Sequence, residues 1–70
     1  MSQRETLEAV TDEWEAAADI ADRVPKSPRV DRVSHVAAVH YDLAKLAKWG
    51  LVERLSDGVR GHPVMWRRVR

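Results

Sequence analysis

Two prolines divide this chain into unlike parts. In Val24-Pro25-Lys26-Ser27-Pro28 neither proline has an amide hydrogen to give, and each restrains the residue before it, so no helix passes through. With 70 residues there is room for one domain, spanning 1–70, and a small core. Cysteine is absent, which excludes disulfides, thiolate metal sites and thiol redox chemistry and removes the usual staple of a domain this small. Packed aliphatic side chains or oligomerisation must supply the stability instead. The hydrophobic share of 44% and the charged share of 33% are those of a soluble globular domain. No uncharged run approaches a membrane span and no signal peptide opens the chain, so the expected location is the cytoplasm, in association with the nucleoid.

Before the prolines the pattern is helical. Residues 2–10, with Leu7 and Val10, read as a short first helix. Thr11 is a candidate N-cap, with Asp12 and Glu13 suited to the first turn of a second helix running to about Arg23. That stretch is rich in strong helix formers, and Trp14, Ala17, Ala18, Ile20, Ala21 and Val24 supply its apolar stripe. A break at Thr11 is favoured over one long helix.

After the prolines comes the strongest periodicity in the chain. Val33, Val36, Ala37, Val39, His40, Leu43, Leu46 and Ala47 follow the three-four spacing of a core-facing side. Either Ser27, with Pro28 behind it, or Ser34 caps the start. Lys45 and Lys48 suit the negative end of the helix, and Gly50 is placed to stop it. Leu51-Val52-Glu53-Arg54-Leu55 then reads as a strand, residues 56–63 as a turn, and Val64-Met65-Trp66-Arg67-Arg68-Val69 as the returning strand of a hairpin.

Charge is divided as sharply as pattern. Residues 1–22 carry seven acids and one base, a balance of −6; residues 23–70 carry eleven bases and four acids, a balance of +7. Such a split fits two faces of one domain, the basic one suited to a polyanion.

Three stretches carry a family likeness. Leu43-Ala44-Lys45-Leu46-Ala47-Lys48-Trp49-Gly50-Leu51-Val52-Glu53-Arg54 looks like the end of a recognition helix entering a wing. Ala16-Ala17-Ala18-Asp19-Ile20-Ala21-Asp22-Arg23-Val24 looks like the helix that opens a helix-turn-helix. Asp57-Gly58, followed by Arg60 and an apolar strand, looks like a wing tip. Together they resemble the winged helix-turn-helix family, most nearly small repressors of bacteria, archaea and their viruses. The resemblance implies a mostly helical α+β fold of three helices and a C-terminal two-stranded wing. It departs from the family between the two central helices, where the connection is about eight residues longer than the usual short turn and contains both Pro25 and Pro28.

The function so implied is sequence-specific binding of double-stranded DNA by a transcriptional regulator or repressor. A recognition helix over about 32–49 would enter the major groove, with a basic wing over about 51–69 beside it. Arg32, His35, Ala38 and Tyr41 are the expected base-facing side, Ala38 being small enough to admit a thymine methyl, with Ser34 at the front. Lys26, Arg29, Lys45 and Lys48 are the expected phosphate contacts. Arg60 and His62 would reach a minor groove or the backbone, and Arg67, Arg68 and Arg70 would add charge. A homodimer on a two-fold site is expected, formed through Leu7 and Val10 or through Trp14 and Trp66. His40 is expected to be a buried structural histidine, and Trp14, Trp49 and Trp66 to lie in the core or an interface.

Other classes have little to stand on. The chain shows no nucleophile-base set, no glycine-rich phosphate loop and no paired carboxylates in an apolar frame, so it is not expected to be an enzyme. His35, His40 and His62 lack a spacing that would complete a metal site, and no cofactor is expected. The alternative is a winged helix used as a protein-interaction or architectural module in a larger complex.

Overall fold

The computed structural model describes residues 3–56 and 58–69. Ser2, Asp57 and Arg70, expected in the first helix, the hairpin turn and the basic tail, lie outside the described residues. The elements run α1 (Gln3–Ala9), β1 (Glu15–Ala16), α2 (Ala17–Ala21), α3 (Arg32–Lys48), β2 (Val52–Leu55) and β3 (Met65–Arg68). The strands form one antiparallel sheet in the order β1-β3-β2. This is a small α+β domain, mostly helical.

The segment after α1 departs from expectation. No helix starts at Thr11. Its hydroxyl accepts the Glu13 N–H at 3.2 Å and donates to Glu15 Oε1 at 2.7 Å, closing a local turn instead. The Arg68 N–H reaches the Thr11 carbonyl at 2.7 Å, and Glu15 and Ala16 pair with Trp66 and Met65. Pairing with β3 outweighs the helix preference of a Glu-Ala run, as tertiary context often does. The second helix is thus only Ala17–Ala21, and the expected two-stranded hairpin is the larger part of a three-stranded sheet.

Helix α3 has well-defined ends. Its N-cap is Asp31, whose carboxylate accepts the Ser34 N–H at 2.7 Å; neither Ser27 nor Ser34 takes that place. Ser27 closes a loop turn, accepting from the Arg29 and Val30 amides. At the other end the Leu51 N–H bonds the Leu46 carbonyl at 2.9 Å and the Gly50 N–H bonds that of Ala47 at 3.1 Å. This paired closure needs a left-handed residue after the cap, and Gly50 supplies it with φ of 77°.

The interior lies where α2, α3 and the sheet meet. Ile20, Val39, Leu43, Leu46, Val52 and Trp66 are buried, with Val10, Ala17, Ala21 and Val24 completing the cluster. The phase of α3 differs from the expected one. Its buried residues are His35, Val39, Leu43 and Leu46, whereas Val33 is 81% exposed and Ala37 and His40 face solvent. Of the tryptophans only Trp66 is interior; Trp14 is half-buried beneath the Arg67 guanidinium, 4.4 Å from its ring centre, and Trp49 is 59% exposed. Burial of Val10 and Trp66 also removes both from any dimer surface.

These burials predict unequal costs. Leu46→Ala should lower stability by ~2–5 kcal/mol, through lost transfer energy and a cavity. Val33→Ala should change it by no more than ~0.5 kcal/mol. Denaturant unfolding of both variants checks the phase of α3; equal losses would contradict it.

Candidate nucleic-acid interface

The solvent face of α3 follows from its period. Val33, Ala37, Ala44 and Lys48, with Tyr41 on one flank and His40 on the other, recur at helical spacing and are all exposed. Asp42 is the one acid in α3, and its carboxylate is drawn inward, accepting the hydroxyl of the fully buried Thr6 at 3.0 Å. The outward strip therefore presents methyls, an aromatic ring, an imidazole and an ammonium, with no negative charge.

The strip continues onto the sheet. His40 stands edge-on to Trp66, their ring centres 5.5 Å apart. The ladder partner of Trp66 is Arg54, and directly paired residues share a face of a sheet. Arg54 is exposed and makes no ion pair among the described residues, so α3 runs across His40 to one cationic side chain on the strand that leads to the hairpin tip. At that tip the His62 N–H closes a turn onto the Val59 carbonyl at 3.1 Å, with Gly61 at φ of 92°. Arg60 stands exposed between them.

The expected base-facing set is not brought together. His35 is only 5% exposed, and its Nε2 lies 2.9 Å from the Ala21 carbonyl and 3.2 Å from that of Val24. Both neighbours can only accept, so Nε2 carries the proton and closes the end of α2. Its role is structural, the one expected of His40. Ala38 is half-buried beside it. Arg32 pairs with Asp22 across the turn, and the Ser34 N–H and hydroxyl serve Asp31. Tyr41 alone of the set stands on the open strip, 62% exposed, with the Lys45 ammonium 4.6 Å from its ring centre.

The expected phosphate contacts divide similarly. Arg29 and Lys48 are exposed without an ion pair among the described residues. Lys26 is exposed but folds back onto the Ser27 and Val30 carbonyls. Arg67 lies on the sheet face opposite Arg54 and Trp66, paired with Glu53 and stacked on Trp14. Arg68 donates to the Leu7 carbonyl at 2.9 Å, at the end of α1. These two arginines knit the fold and leave the strip to Arg54, Lys48 and Arg60. Val33, Ala37, Ala44 and Arg54 were absent from the expected site; the missed signal was the phase of α3, and for Arg54 its pairing opposite Trp66.

Ion pairs brace the scaffold behind this surface. Hydrogen bonds from Arg23 and Thr11 hold the Glu15 carboxyl below its ordinary range, and Arg32 does the same for Asp22. The Ser34 N–H and hydroxyl lower Asp31 in turn. Arg23 also donates to the Ala9 carbonyl at 2.9 Å, tying β1 to the end of α1. Among the described residues no three histidine, cysteine, aspartate or glutamate side chains converge to hold a metal ion, and no helix is long and apolar enough to cross a membrane. No known protein family, characterised protein or solved structure matches the chain.

Two outcomes follow. His35→Ala should cost ~1–3 kcal/mol, by leaving the Val24 carbonyl without its donor and taking one of two from Ala21, while His40→Ala should cost less. Thermal melts of the two variants check this. Because the folded state lowers the carboxyl values of Glu15, Asp22 and Asp31, their contribution is fully present above the ordinary carboxylate range and is lost as pH falls through the lowered values. Tm should therefore hold from neutral pH to about 5 and drop below about 4. Asp22→Asn should shrink that drop.

Proposed function

We propose that this chain is a winged helix-turn-helix protein that binds double-stranded DNA and acts as a transcriptional regulator. The support in the fold is a short α2 packed on a long α3, followed directly by the β2–β3 hairpin as a wing. The observation that carries the reading is the outward strip of α3. It is long, exposed and free of acid among the described residues, meets the sheet only where His40 stands against Trp66, and carries Lys48, with Arg54 paired to Trp66 and Arg60 at the hairpin tip. A helix lies in a major groove with such a face inward, while cations beside it neutralise phosphates.

The extended connection fits this reading. Residues 22–31 form a loop whose turns are set by Ser27 and whose far end is the Asp31 cap, so α3 starts late and keeps its first turn open. Of the acids in α1 and β1, Glu8 pairs with Arg4 and Glu15 with Arg23. In this proposal two copies occupy a two-fold site, as helix-turn-helix dimers do. A second reading, as an interaction module, is favoured by the exposed Trp49, Leu51 and Leu55.

Titration of random duplex DNA at several salt concentrations separates the two. A DNA-binding wing and helix predict affinity that falls steeply with salt, and Arg60→Ala should flatten the slope by about one unit while weakening all sequences alike. Ala37→Glu, at an exposed position where glutamate is a good helix former, should abolish duplex binding without changing Tm. Absence of duplex binding at low salt by the unaltered chain would favour the interaction module.

A further inference from the structure

Resting on the DNA-binding reading, we propose that α3 recognises its site through the C5 methyl groups of thymine, by apolar contact from Val33 and Ala37, rather than through hydrogen bonds to base edges. The usual bidentate polar readers are missing or engaged. The chain contains no asparagine, and its single glutamine, Gln3, lies in α1, so bidentate recognition of adenine is not open to α3. Guanine is most often read by an arginine or lysine fork. The one arginine in α3, Arg32, is committed to Asp22, and Lys45 lies over the Tyr41 ring. Lys48 is at the far end of the helix from the first turns.

What the front of α3 does offer is methyl surface. Val33 is 81% exposed in the first turn, and Ala37 follows one turn later on the same side, its backbone able to approach closely because the side chain is short. An isopropyl group this open is costly in water and gains by burial. In a major groove the thymine methyl is the one apolar group on any standard base edge. Charge agrees with that occupant: the apolar patch lies on a strip that carries no acid of α3 and ends at Lys48, which suits a polyanion.

The test compares duplexes that differ by methyl groups alone. An alternating dA–dT duplex is titrated beside the same duplex with deoxyuridine for every thymidine, which removes the methyl and keeps every hydrogen-bonding group. Each methyl buried against Val33 or Ala37 should be worth roughly three- to fivefold, so two contacts predict a deoxyuridine duplex roughly ten- to twenty-five-fold weaker. Val33→Ser, which folds normally because the position is exposed, should lower that ratio to roughly the three- to fivefold left by Ala37. In a duplex of inosine and cytosine, replacing cytosine by 5-methylcytosine should strengthen binding. Equal affinity for the thymidine and deoxyuridine duplexes, with steep salt dependence retained, would overturn methyl recognition and leave DNA binding standing. A ratio that survives Val33→Ser undiminished and is not matched by 5-methylcytosine would overturn it too, in favour of duplex shape. Failure to bind any duplex would overturn both proposals.

Discussion

Burial of Trp66 is the contact on which the rest of this domain depends. It sits at the middle of the central strand, with Glu15 paired on one side and Arg54 on the other, and its ring is 1% exposed. A side chain of that size contributes more apolar area than any other in the core, enough to offset an indole N–H that has no partner among the described residues. Held there, β3 draws the chain after α1 into a strand, fixes where α2 begins, and sets the edge against which α3 packs through Val39, Leu43 and Leu46. His40 touches the same ring from the solvent side, so the open strip of α3 inherits its position from Trp66.

A second constraint works at the other end of α3. His35 joins α3 to the last turn of α2 by reaching two backbone carbonyls, and Arg32 to Asp22 spans the same junction from outside. Between His35 and Trp66 the rotation of α3 about its own axis is settled. That rotation turns Asp42 inward to Thr6 and leaves Val33, Ala37 and Ala44 outside, which makes the outward strip both apolar and free of acid.

Much of this was legible in the residues. The extent of α3, its stop at Gly50, the strand from Leu51 and the glycine-bearing hairpin follow from periodicity and turn chemistry, which are local. The split of charge between Asp22 and Arg23 was legible too, but it does not separate scaffold from surface, since Arg23, Arg67 and Arg68 of the basic part knit the fold. Strand β1 was not legible, because Glu15-Ala16 lies in a run of strong helix formers and becomes extended only through a partner fifty residues away in the chain. The face of α3 was misjudged for a related reason. Alanine, valine and histidine occur on both sides of the helix, so hydrophobicity alone does not choose between His35 and His40; the choice is made by the carbonyls of Ala21 and Val24. The candidate site shifted with it, from Arg32, His35 and Ala38 to Val33, Ala37 and Ala44, while Tyr41, Lys48 and Arg60 kept their places on the surface.

The central claim is that the outward strip of α3 and the hairpin tip together receive duplex DNA. Its most direct test is a titration of the isotopically labelled protein with a short duplex, followed amide by amide in heteronuclear NMR spectra. The account predicts shifts concentrated at Val33, Ala37, Tyr41, Ala44 and Lys48, at Arg54, and from Val59 to His62, with α1 and the Glu53–Arg67 side of the sheet unmoved. Shifts confined to α1, or to Trp49, Leu51 and Leu55 with α3 silent, would contradict it.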